Sequence, residues 1–118
     1  MESKEQVMKE KYRSVGLDYD LIVSKYPNIN EYESIVNAYF EDEFFIKLKE
    51  YLDDEDYELA KDAVKGLYIL AEELYLFPLY MALLDIYEDI EEEIYNELIK
   101  KYDSMYEIYK KMKGVFVC

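Results

Sequence analysis

Histidine and tryptophan are absent from this chain of 118 residues, and cysteine occurs once. Without histidine there are no serine–histidine or cysteine–histidine nucleophile pairs, and every histidine-bearing zinc or di-iron motif is excluded. The one thiol, Cys118, stands at the last position and cannot close an intramolecular disulfide, so a reducing compartment and a cytoplasmic location are expected. Three glycines and two prolines are too few for the turns of an all-β fold, and no glycine-rich phosphate loop is present. No apolar run approaches the roughly 20 residues of a membrane span, and the opening stretch MESKEQVMKEKYR lacks the apolar core of a signal peptide.

Acidic and apolar residues dominate what is there. Twenty-eight acidic against fourteen basic residues give a formal net charge of −14, which argues against nucleic acid and anionic membranes as partners. An apolar content of 52% is that of a folded chain, and the length suits a single core. The class expected is all-α.

The amino-terminal stretch ESKEQVMKEKYRS offers Val7, Met8 and Tyr12 for burial, and Gly16 interrupts it, so residues 1–16 read as a helical extension before a domain spanning 17–118. Leu17, Leu21, Ile22 and Tyr26 fit a short helix that Pro27 ends. A second element, capped by Asn28 or Asn30, runs from about Glu31 to Leu52, with a kink at Glu41–Glu43. Asp53–Asp56 forms a turn and cap for the next helix, which reaches about Leu76. These carboxylates lack the central glycine and spacing of a calcium loop, so no metal is expected there. Pro78 opens a further helix. Nothing breaks the pattern from there to Gly114, yet one helix of that length would be roughly 50 Å long. A turn is therefore placed between Asp89 and Asn96, and the last helix is expected to end at Gly114. Short connections then predict an antiparallel up-down four-helix bundle with one or two short amino-terminal helices.

The most regular pattern lies around AKDAVKG. Tyr57, Ala60, Val64, Leu67, Ala71 and Leu74 recur three and four apart and form one apolar stripe. Facing away from it are Leu59, Asp62, Gly66, Ile69 and Leu76. Either the amino-terminal helices cover this outer face or it is a docking patch. Gly66 costs a helix interior about 1 kcal/mol relative to alanine, which suggests that something must approach the backbone closely.

Asp62, Lys65 and Gly66 stand where the histidine-containing phosphotransfer (HPt) family has its phosphorylatable histidine and the Lys-Gly that follows. In this the chain resembles that family, as do Leu17–Asp42 and Phe77–Glu91, and the resemblance covers nearly everything after Gly16. A second register, one turn along, puts Lys65 at the histidine position. Neither register supplies a histidine, and an aspartate on an open helix lacks the magnesium site that makes it a phosphate acceptor. The resemblance implies a signalling domain that is not an enzyme, needs no cofactor, and binds a response-regulator receiver domain or a histidine kinase without carrying phosphate. Leu59, Lys61, Asp62, Lys65, Gly66 and Ile69 form the expected docking set. The alternative is an adaptor or self-associating bundle that has left phosphorelays.

Overall fold

The computed structural model describes residues 3–116, so Cys118 lies outside the described residues. These residues form helices α1 (Lys4–Ser14), α2 (Tyr19–Lys25), α3 (Ile29–Phe40), α4 (Phe44–Asp53), α5 (Tyr57–Glu73), α6 (Phe77–Glu91) and α7 (Leu98–Phe116). The all-α class holds for them. No helix among them is long and apolar enough to cross a membrane.

Four helices begin where a short polar side chain can satisfy an otherwise unpaired amide. Ser3, Asp18, Asn28 and Asp56 each accept a hydrogen bond from the amide three residues on, at 3.1–3.2 Å. Asn28, not Asn30, is thus the cap of α3. The ends of α4, α5 and α6 are less expected. Glu55, Tyr75 and Glu93 follow their last turns with φ of 56°, 60° and 57°. In each case the next amide reaches back five residues, as Leu76 does to the Ala71 carbonyl at 2.9 Å. This closure normally takes glycine at the left-handed position. Only α1 uses one: Gly16 has φ of 79°, and a Cβ there would stand 3.0 Å from Pro78.

Three boundaries differ from expectation. The single element anticipated from Glu31 to Leu52 is two helices, because the amides of Glu41 and Asp42 turn back to Ala38 and Tyr39, and the Asp42 carboxylate accepts from the Phe44 amide at 2.9 Å and starts α4 afresh. That restart leaves Phe44 exposed, and Ile35 is exposed as well. Helix α5 stops at Glu73, so Leu76 is not on its outer face but fully buried ahead of α6. Gly114 does not end α7, which continues to Phe116 because the Phe116 ring packs 5.2 Å from that of Tyr12. The turn between Asp89 and Asn96 stands as expected.

Helix α5 packs between α4 and α6, α6 on α7, and α7 also against α3 and α4. Ala60, Val64, Leu67, Ala71 and Leu74 are buried as the stripe requires, whereas Tyr57 is only half-buried. The first helix joins the same core through Tyr12, whose ring also lies 5.2 Å from Tyr19 and whose hydroxyl donates to Glu33 at 2.9 Å.

Much of the core is tyrosine, and its hydroxyls do not simply reach solvent. Tyr32 donates to the carbonyl of Leu74 (2.6 Å), Tyr39 to Leu67 (2.7 Å), Tyr102 to Phe45 (2.6 Å) and Tyr109 to Phe40 (2.6 Å). Leu74 and Phe40 stand at helix ends, where carbonyls lack an intrahelical partner. A tyrosine can thus bury a large ring and complete a neighbouring helix in one step. Between α6 and α7, Lys101 bridges the buried Asp89 (2.7 Å) and Asp85 (3.0 Å).

Candidate functional site

The anticipated docking set lies on one helix but faces two ways. Leu59, Asp62 and Gly66 look toward α4, while Lys61 is drawn to α6, where its ammonium meets Glu91 at 3.0 Å. The same carboxylate accepts from the Tyr87 hydroxyl at 2.7 Å. These two hydrogen bonds, that from Tyr87 foremost, hold Glu91 below the ordinary carboxylate range, and Glu91 in turn raises Lys61. Lys61 is therefore engaged within the molecule. Asp62 and Lys65 are exposed and share no ion pair among the described residues, although a contact between them would fit their spacing.

Between α4 and α5 runs a groove of about 390 Å³. Asp42, Phe44 and Tyr51 line it from the α4 side, and Leu59, Asp62, Ala63, Gly66, Leu67 and Leu70 from α5. Ile69 is 42% exposed and does not line it. The amino-terminal helices do not cover this face: Leu59 and Leu70 are 46% and 41% exposed. Phe44, Tyr51 and Leu70 are the residues that sequence reasoning missed. Leu70 could have been found, since it follows Gly66 by one turn. Phe44 could not, because its outward direction depends on the restart of the helix at Asp42.

Gly66 is the unusual member. A Cβ built on it would meet nothing within 4 Å, so no neighbour in the molecule requires the glycine. Gly66→Ala is expected to raise stability by about 0.5–1 kcal/mol, read as a higher urea midpoint at unchanged slope. A loss of stability would mean that the backbone at Gly66 is constrained by a contact the fold does not display.

As chemistry the groove is limited. Its polar side chains are two carboxylates and one tyrosine hydroxyl, with no nucleophile and base in reach of one another. Among the described residues, no group of three or more side chains is gathered that could hold a metal ion. What the arrangement offers is apolar surface with fixed negative charge. No family model, no curated protein and no solved structure matches the chain.

Proposed function

We propose that the chain is a non-phosphorylatable HPt-like docking domain that binds a partner over the outer face of α5. The observation that carries this reading is Gly66, a helix-interior glycine that nothing inside the molecule needs, at the floor of an open apolar groove. The packing of α4 on α5, α5 on α6, α6 on α7 and α7 on α4 closes a ring. That ring supports an up-down four-helix bundle, to which α1–α3 are added, α3 against α7. By resemblance the partner is a response-regulator receiver domain, with a histidine kinase second. By the same resemblance Asp62 stands at the phosphoacceptor position with an acidic side chain in place of the histidine, which suits a domain that sequesters or tunes a relay without carrying phosphate.

The test is an NMR titration of the labelled protein with receiver domains, with and without a phosphate analogue on the receiver. Shifts should cluster on Lys61 to Glu72. Ile69→Glu should weaken binding by about tenfold or more, because it sets a charge on an exposed apolar position of the docking face. Unchanged binding by that variant would show the face to be wrong.

One observation favours a second reading, an adaptor outside phosphorelays. Exposed apolar residues continue onto α6 at Phe77 and Met81, the latter 61% exposed and away from Asp62. Gly66→Leu separates the two. It should block a receiver that covers the groove and leave an α6-centred contact intact.

A further inference from the structure

Building on the reading of α5 as a docking face, we infer that the α4–α5 groove seats an amphipathic helix of the partner that carries lysine or arginine beside its apolar residues. The α5 side of the groove extends from Leu59 to Leu70. At 1.5 Å per residue this is about 16 Å, the length of three helical turns. Phe44, Leu59 and Leu70 supply partly exposed apolar walls, and Gly66 between the last two leaves the floor open to a large side chain or to a closely approaching backbone. Residues three and four apart on a helix would fill such a trough.

The charge of the occupant follows from the lining. Both ionic residues in the groove, Asp42 and Asp62, are acidic. Asp42 gives one oxygen to the amide of Phe44, and Asp62 has no hydrogen-bond or ion-pair partner among the described residues. Of the cations nearby, Lys47 lies over the Phe44 ring but pairs with Glu43 at 3.0 Å, Lys61 is held by Glu91, and Lys65, exposed one turn from Asp62, does not line the groove. The whole chain adds a net charge of −14. An acidic helix would meet repulsion from both, and a second copy of this chain would bring the same excess of negative charge. A basic helix gains from both.

The probe is a synthetic amphipathic helix of about 14 residues, with leucines three and four apart and lysines along both flanks, set beside the same peptide with every lysine replaced by glutamate. The full chain should bind the basic peptide with shifts at Asp62, Gly66 and Leu70, and the acidic peptide at least about tenfold more weakly. Gly66→Leu should abolish binding of the basic peptide. Its melting temperature shows that the fold is kept, and Asp62→Asn, which leaves the groove open, should weaken binding and flatten its salt dependence. Equal affinity for the two peptides, or shifts confined to α6, would overturn the inference. If a receiver domain shifts Ile69 and Lys65 while the basic peptide does not bind, the groove assignment fails and the docking reading survives. If the basic peptide binds and no receiver or kinase does, the groove assignment stands and the phosphorelay reading fails.

Discussion

Between about pH 10 and pH 12 the chain is expected to lose its helices cooperatively, with tyrosine ionisation and loss of circular dichroism following one curve. The cause is burial. Tyr32 and Tyr39 have hydroxyls enclosed in the core and donating to backbone carbonyls, and desolvation holds them protonated well above the ordinary tyrosine value. Tyr12 is raised in the same way, first by desolvation and then by its bond to Glu33, and Tyr102 is pushed up to about 12. A hydroxyl whose folded pKa lies above its unfolded value of about 10 contributes full stability below that pH, and the contribution is lost as pH rises toward the folded value. One pH unit above 10 costs about 1.4 kcal/mol for each such group. Tyr32 and Tyr39 together then remove about 3 kcal/mol at pH 11, and Tyr12, Tyr102 and Tyr109 act in the same direction. Against a total of roughly 6–18 kcal/mol for a chain of this length, that is enough to shift the balance. The check is tyrosinate absorbance recorded with far-ultraviolet circular dichroism across the titration. Smooth ionisation of all tyrosines near pH 10 with the helices intact would show the hydroxyls to be open to water.

Phe45→Ala is expected to lower the melting temperature by about 10–20 °C. The ring is fully buried, stacked on Tyr109 with centroids 4.2 Å apart, and meets Tyr39 edge-on at 5.2 Å. Removing it deletes the transfer free energy of a phenyl group and leaves a cavity between α3, α4 and α7 that rigid neighbours cannot close, a combined cost of about 3–5 kcal/mol. For a domain of this size roughly 3–5 °C accompanies each kcal/mol. The backbone carbonyl of Phe45 still accepts from Tyr102, so the loss reports packing and not the hydrogen bond. Calorimetry of Phe45→Ala beside Phe45→Leu is the measurement. Equal, small losses in both would place the ring outside the cooperative core.

The helical class, the stripe on α5 and the exposure of Leu59, Asp62, Gly66 and Ile69 were legible because all rest on a period of three and four residues. The helix ends were much less so. Glycine is the usual mark of a left-handed closure, and here Glu55, Tyr75 and Glu93 take that conformation without it. Length alone placed the turn after α6, and the stop of α5 before Leu76 could not be placed. The groove itself was half visible. Its α5 wall follows from spacing on one helix, whereas its α4 wall depends on the restart at Asp42, a local hydrogen bond that no periodicity announces.

The tyrosine hydroxyls have a mechanical consequence. Tyr39 on α3 reaches Leu67 on α5, Tyr102 on α7 reaches Phe45 on α4, and Tyr109 on α7 reaches Phe40 at the end of α3, each at 2.6–2.7 Å. A slide of one helix past another by a full turn, about 5.4 Å, would break each of these bonds. A one-turn ratchet of one packed helix past another is therefore opposed at three places at once. The interior is thus tied to one register by side chains that also fill the core.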